Sequence, residues 1–68
     1  MKLTINGESR EFNLPTPATV AALLDALALT GKRIAIEMNG EIVPKSRHGE
    51  TPVADGDRFE IVVAVGGG

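Results

Sequence analysis

One segment of the chain has the apolar spacing of a helix, and the segments on either side of it alternate as strands do. Its large apolar residues recur at i, i+3, i+4 and i+7: Val20, Leu23, Leu24 and Leu27. This spacing predicts one amphipathic helix over Val20–Thr30, with Thr19 as its N-cap and Gly31 just past its end. A helix with a single apolar stripe buries that stripe against another layer, so we expect it to cover one face of a sheet.

Two strands are predicted before the helix. Lys2 to Ile5 and Glu11 to Leu14 alternate apolar with polar residues, and the turn signal Asn6-Gly7 lies between them. Because Gly7 to Arg10 separate the two alternating runs, we expect a hairpin loop longer than two residues.

Three strands, one of them short, are predicted after the helix. Ile34 to Met38 alternates, Asn39-Gly40 marks a tight turn, and Glu41 to Val43 follows until Pro44. Arg58 to Val65 is the richest segment in valine and isoleucine, which favours a central position beside the first strand. Its residues expected to face the core are Phe59, Ile61, Val63 and Val65.

With the short strand counted together with the strand before it, the predicted order is ββαββ, and the long strand comes last. A mixed sheet with one helix packed on one face is the α+β arrangement known as the β-grasp. Residues 1–65 are expected to form this domain, and residues 66–68 a flexible C-terminal tail.

Composition limits the functions available to the chain. It has no cysteine, so it offers no disulfide, thiolate metal site or nucleophilic thiol, and a reducing cytoplasm is the expected location. The net charge of -2 argues against nucleic-acid and anionic-membrane binding, and no apolar run approaches the roughly 20 residues of a membrane span. We therefore expect neither nucleic acid nor membrane as a partner.

The usual catalytic and metal-binding arrangements are not found in the sequence. His48 is the only histidine and is expected to be a solvated loop residue, so no metal site is expected. Asp55 and Asp57 flank Gly56, which predicts a turn before the last strand rather than a catalytic carboxylate pair. We expect no catalytic residue in this chain, which is then not an enzyme.

The C-terminus is the one feature with a chemical use. The chain ends Val65-Gly66-Gly67-Gly68, and three residues without Cβ atoms make a thin segment that reaches about 10 Å when extended. Its last atom group is an unhindered α-carboxylate, which becomes an acyl donor once ATP converts it to an acyl-adenylate. A frayed end or a cloning remnant is the alternative explanation.

A domain of this order and length that ends in glycines resembles the ubiquitin-like sulfur carriers, and most closely the ThiS family. The resemblance covers the whole chain and is carried by Asn39-Gly40-Glu41-Ile42-Val43-Pro44, Asp55-Gly56-Asp57 and the segment from Glu60 to Gly68. The related MoaD family, the small subunits of molybdopterin synthase, tends to be longer and has a proline pair before the final glycines. Here Ile61-Val62-Val63-Ala64 stands in that place.

The resemblance implies a carrier cycle in thiamine biosynthesis. A ThiF-like adenylyltransferase would use ATP and magnesium to adenylate Gly68, and a cysteine desulfurase or other sulfur donor would convert it to a thiocarboxylate. Thiazole synthase, ThiG, would accept the sulfur, while Gly66 and Gly67 thread the tail into each partner. The resemblance implies no permanently bound cofactor.

A docking surface is predicted where the last strand keeps apolar residues on its outer side. Val62 and Ala64 continue that side after the charged Arg58 and Glu60, and we expect them to meet the partners together with Val43 and Val65. The half-covered sheet of a small domain explains the same pattern equally well.

Three other functions stay open at this point. A MoaD-like subunit would form a lasting complex with a larger protein. A protein modifier would join Gly68 to target lysines, and a plain interaction domain would be unaffected by loss of its glycines.

Overall fold

The computed structural model describes residues 1–64, and its order is ββαβββ, which is the predicted order with the short strand after Asn39-Gly40 counted separately. In chain order they are β1 (Lys2–Ile5), β2 (Glu8–Glu11), α1 (Val20–Ala26), β3 (Ile34–Met38), β4 (Glu41–Ile42), a short 3-10 helix (Lys45–Arg47) and β5 (Arg58–Val63). Val65, Gly66, Gly67 and Gly68 lie outside the described residues. The domain boundary at residue 65 and the flexible tail therefore stay predictions.

The five strands form one mixed sheet in the order β2-β1-β5-β3-β4. The last strand is central beside the first, as predicted, with Ile5 opposite Phe59 in the parallel pair and Ile36 opposite Ile61 in the antiparallel one. Because β1 and β5 run in the same direction and β1 ends first, β5 extends past the end of β1. The C-terminal end of β5 therefore lies beyond the part of the strand that pairs with β1.

The core is aliphatic apart from one phenylalanine and lies between α1 and one face of the sheet. Its largest fully buried side chains are Phe59, Leu3, Leu23, Ile36 and Val20. Residues of α1 and of three strands belong to this one cluster, which confirms the two-layer α+β fold. Val63, predicted to face the core, remains 39% exposed because it lies at the end of β5 beyond the buried Ile61.

The first hairpin is tighter than the sequence predicted. β2 is Glu8–Glu11, and Asn6 and Gly7 alone make the turn with φ values of 51° and 82°. Two successive residues with positive φ suit a two-residue hairpin, because their twist matches that of the strands. The expected longer loop was wrong, and the predicted strand over Glu11 to Leu14 was misplaced, since only Glu11 lies in β2. β2 is an exposed edge strand and therefore carries no apolar alternation.

The helix begins where predicted and ends earlier. The Ala22 N–H donates to the Thr19 hydroxyl at 3.2 Å, which confirms the N-cap, but α1 stops at Ala26 rather than Thr30. Ala28 has φ of 60°, and the next residue, Leu29, donates its N–H to the Leu24 carbonyl at 2.8 Å. This is a Schellman ending, in which a left-handed residue closes the helix and brings an apolar residue back onto its last turn.

Candidate functional site

The base of the C-terminal tail is held from both sides of β5. On the β3 side, the Ala64 N–H donates to the Arg33 carbonyl at 2.9 Å. On the β1 side, the Ile61 N–H donates to Asn6 Oδ1 at 2.7 Å, and Asn6 Nδ2 donates to the Ile61 carbonyl at 3.1 Å. The chain is thus positioned by hydrogen bonds up to Ala64. Val65 and the predicted sulfur-carrying and threading residues, Gly66 to Gly68, follow directly and lie outside the described residues.

Asn6 extends the parallel pairing beyond the point where β1 turns away. Its own N–H donates to the Phe59 carbonyl at 2.8 Å, and its side-chain amide then bonds to Ile61, two residues further along β5. An amide side chain carries both N–H donors and a carbonyl acceptor, so it can replace a backbone peptide unit in a ladder. The left-handed backbone at Asn6 is one that asparagine adopts more readily than most residues.

The outer face of the sheet, away from α1, combines apolar and acidic residues. Val62 is 66% exposed and lies opposite the exposed Ala35 on β3. Beyond them, Glu37 and Glu60 lie opposite each other, and Glu37 is also paired with Ile42, which is 75% exposed. We call these five residues the outer patch. Ala64, at the adjoining end of β5, is exposed as well, so two of the predicted docking residues, Val62 and Ala64, are at the surface.

Val43 is not at the surface, so its prediction as a docking residue was wrong. Its side chain is 8% exposed and belongs to the core cluster, and its N–H donates to the Ile36 carbonyl at 2.9 Å. Side chains alternate along a strand, so Ile42 points outward where Val43 points inward. Ile42 was not among the predicted docking residues, although alternation along the short strand, with Val43 facing the core, places it at the surface.

The polar residues of the two adjoining turns serve the fold. Asp57 accepts from the Ala54 N–H at 2.8 Å through Oδ2 and from Asn39 Nδ2 at 3.1 Å through Oδ1. Asp55 Oδ1 accepts from the Lys2 N–H at 2.6 Å. Both carboxylates thus hold the turn before β5, which confirms its prediction as a turn.

His48 is partly buried, so the prediction of a solvated loop residue was wrong. Its Nε2 lies 3.2 Å from the Val43 carbonyl oxygen, and its own carbonyl accepts from the Ala21 N–H at 2.9 Å. It joins the 3-10 segment to α1. Within residues 1–64, no group of three histidine and acidic side chains is arranged to hold a metal ion, and no helix is long and apolar enough to cross a membrane.

Comparison with known sequences gives one family. The profile of the ThiS family matches residues 3–68, which includes the glycine tail. The chain is 38% identical over 66 residues to the sulfur carrier protein ThiS of Bacillus subtilis, covering 97% of this chain and 98% of that protein. It is also 50% identical over all 68 residues to a thiazole synthase of Paramagnetospirillum magneticum, but it spans only 20% of that protein's length.

Comparison with solved structures agrees in fold and in sequence. The crystal structure of the thiamine biosynthesis protein ThiS from Geobacter metallireducens superposes with a TM-score of 0.82 at 33% identity. The match covers the whole of both chains. The β-grasp arrangement predicted from the sequence is therefore confirmed by a protein of similar length.

Proposed function

Because this chain belongs to the ThiS family, the sulfur carriers of thiamine biosynthesis, we propose that it carries sulfur on the carboxyl group of Gly68. One observation supports this most directly: the family match runs through the last glycine, so the chain has the family's tail as well as its fold. The carrier itself contributes no catalytic group. Its part is to present the tail to enzymes that act on it.

The proposed chemistry takes place at one carbon atom. A Gly68 carboxylate oxygen attacks the α-phosphorus of ATP in a ThiF-like adenylyltransferase, which uses magnesium, and pyrophosphate leaves. A persulfide sulfur, supplied by a cysteine desulfurase or another donor, attacks the acyl carbon and displaces AMP. A thiol then cleaves the sulfur–sulfur bond, leaving a thiocarboxylate on Gly68 and a disulfide. We place the cycle in the cytoplasm, where ATP and cysteine are supplied.

The hydrogen bonds at the tail base support this role. They hold β5 up to Ala64, so a partner that binds the domain receives the tail at a fixed starting point. The four following residues span at most about 14 Å when extended. Gly66 and Gly67 suit a narrow channel because glycine has no Cβ atom to meet its walls.

We propose that the outer patch, together with Ala64 and Val65, meets the partners. Val62 and Ile42 are large apolar side chains left in contact with water, and both belong to the sheet that carries the tail. Glu37 and Glu60 give the patch a negative charge, so a complementary partner would present apolar residues flanked by lysine or arginine.

Thiazole synthase is the proposed recipient of the sulfur. A protein named thiazole synthase contains a region 50% identical to this entire chain, and a second, from Magnetococcus marinus, contains one that is 31% identical. A carrier sequence within such a protein suggests that the two components work together. This likeness supports thiazole synthase as the client over molybdopterin synthase.

Intact-protein mass spectrometry tests the proposal. The chain is incubated with ATP, magnesium, a ThiF-type enzyme, a cysteine desulfurase, cysteine and a thiol. We expect a mass gain equal to the replacement of one oxygen by sulfur, and no gain for the matched variant that lacks Gly68. No gain for the complete chain, with an enzyme active on another carrier, would contradict the proposal. Retention of a larger, molybdopterin synthase-type subunit through purification would favour a MoaD-like function.

A further inference from the structure

A second surface feature lies beside the tail base, on the α1 side of the sheet. It is a cavity of about 290 Å³ between the end of α1, the start of β3 and the 3-10 helix. Its floor is apolar and includes Leu24, Leu29 and Ile34, while Lys32, Arg33 and Lys45 lie at its opening and are exposed. We call it the basic-rimmed cavity. Of the predicted docking residues that the structure describes, Val43, Val62 and Ala64, none lines it.

The charge of this rim differs from that of the chain as a whole. The chain has a net charge of -2, yet three of its seven lysine and arginine residues are at this one opening. The two ion pairs within residues 1–64 join the N-terminus to Glu11 and Arg47 to Glu50, so neither involves the rim. The nearby Asp25 carboxylate lies 3.5 Å from the hydroxyl of Thr30, another lining residue. The rim is therefore complementary to carboxylates from another molecule.

The cavity is also close to the tail. Arg33 is a rim residue, and its carbonyl accepts the hydrogen bond that holds Ala64. The outer patch and the cavity lie on opposite faces of the sheet, since Ile34 is in the cavity floor and the next residue, Ala35, belongs to the patch. An enzyme that surrounds the tail base can therefore contact both.

We propose that the basic-rimmed cavity receives an aliphatic side chain, flanked by carboxylates, from the adenylating partner. The volume is at the lower limit of small-ligand pockets, about 300–1,000 Å³, so it suits a single large side chain better than a nucleotide. The apolar floor matches the side chain, and the three cations match its acidic neighbours. This inference rests on the proposed function, because it assigns a contact to the enzyme that adenylates Gly68.

Steady-state pyrophosphate exchange at saturating ATP, with the carrier concentration varied, tests this contact. The cavity variant is Lys32→Gln/Lys45→Gln, and the control is Lys2→Gln/Arg10→Gln, which loses the same charge from β1 and β2, across β5 from the β3 end of the sheet. We expect the KM for the cavity variant to rise by about tenfold with unchanged kcat, and the control to stay near the original chain. The KM of the original chain should also depend more steeply on salt than that of the cavity variant.

A second variant tests the apolar floor without changing charge. Ala21 is half-buried and lines the cavity, so Ala21→Leu fills part of its volume and should also raise KM. Circular dichroism melts check that each variant stays folded. Equal KM values for the cavity and control pairs would overturn the inference, as would an effect confined to sulfur transfer to thiazole synthase. Absence of exchange with the original chain would instead overturn the proposed function, and this inference with it.

Discussion

The side chain of Asn6 is expected to be one of the most important polar groups for the stability of this small domain. It makes two hydrogen bonds to the backbone of Ile61, at 2.7 and 3.1 Å, where β5 has no strand beside it on that side. Asn6→Gly removes both bonds while keeping a residue that tolerates the φ of 51°. Asn6→Ala removes the bonds and also forces alanine into the left-handed region.

The size of each effect follows from these contacts. Two partly buried hydrogen bonds at about 0.5–1.5 kcal/mol each give about 2 kcal/mol for Asn6→Gly. The left-handed backbone adds about 1 kcal/mol for alanine, so Asn6→Ala should cost about 3 kcal/mol. The free energy of unfolding is about 0.05–0.15 kcal/mol per residue, which gives about 3–10 kcal/mol for a chain of 68 residues. Either substitution therefore removes a large share of the total stability.

Urea unfolding followed by circular dichroism measures these differences, because the chain has no tryptophan or tyrosine to report by fluorescence. The thermal midpoint should fall by about 8–16 °C for Asn6→Gly. Amide hydrogen exchange gives a local test: the Ile61 N–H should exchange faster in Asn6→Gly, while Val62, paired with Ala35 on β3, serves as the internal control. Asn13→Ala, at an exposed position, controls for loss of an asparagine.

The reasoning would be refuted by a specific pair of results. If Asn6→Gly stays within about 0.5 kcal/mol of the original chain, the size expected of a neutral surface change, the amide bonds do not stabilise the fold. If Ile61 also keeps its exchange protection, Asn6 does not hold β5. If Asn6→Gly and Asn6→Ala lose the same free energy of unfolding, the left-handed backbone adds no cost for alanine, while the hydrogen-bond contribution stands.

Two further predictions concern the outer patch and the end of α1. Val62→Arg should lower kcat/KM for adenylation by about tenfold and change the free energy of unfolding by no more than about 0.5 kcal/mol. The control, Ser9→Arg on β2, should change neither quantity. Unchanged turnover for Val62→Arg would exclude this residue from docking. Ala28→Gly should stabilise the fold by about 0.5–1 kcal/mol in urea unfolding, because glycine relieves the φ of 60°. The same change at Ala26, the last residue of α1, should destabilise the fold, by up to about 1 kcal/mol, because there the backbone is helical. A loss of stability in both glycine variants would argue against strain at Ala28.

Sequence patterns predicted the parts of the fold that are buried on one side. The stripe on α1 and the alternation in β3 and β5 arise because one side of each element faces the core. β2 has no such side, since all four of its residues are exposed, and its sequence Glu-Ser-Arg-Glu contains no apolar residue. The position of β2 depends on the turn at Asn6-Gly7. The strand was predicted too late in the sequence because Phe12 and Leu14 are apolar and alternate with polar residues.

The early end of α1 could not be predicted from residue preferences. Alanine is the strongest helix former, so Ala28 favours continuation, and Gly31 is the expected stop. In the structure, Leu29 packs against the core and bonds back to Leu24. Tertiary burial of one leucine thus determines the conformation of the residue before it.

The candidate site divides in the same way. The exposure of Val62 and Ala64 could be predicted because it depends on local sequence. The role of the Asn6 amide and the basic-rimmed cavity could not, because each requires knowing which distant segments meet. Asn6 and Ile61 are 55 positions apart, and the cavity joins α1 to Lys45 of the 3-10 helix.

The small size of the apolar surface fits a carrier that must be released. If the proposed adenylating enzyme and thiazole synthase both bind the same tail, they cannot bind it together, and each complex has to dissociate before the next forms. The outer patch contains only Val62, Ala35 and Ile42 as apolar residues, separated by Glu37 and Glu60. Transient complexes typically have small interfaces with polar interruptions, whereas obligate ones are larger and more apolar. If the basic-rimmed cavity adds affinity for the first enzyme alone, the carrier can distinguish its partners without a large common interface.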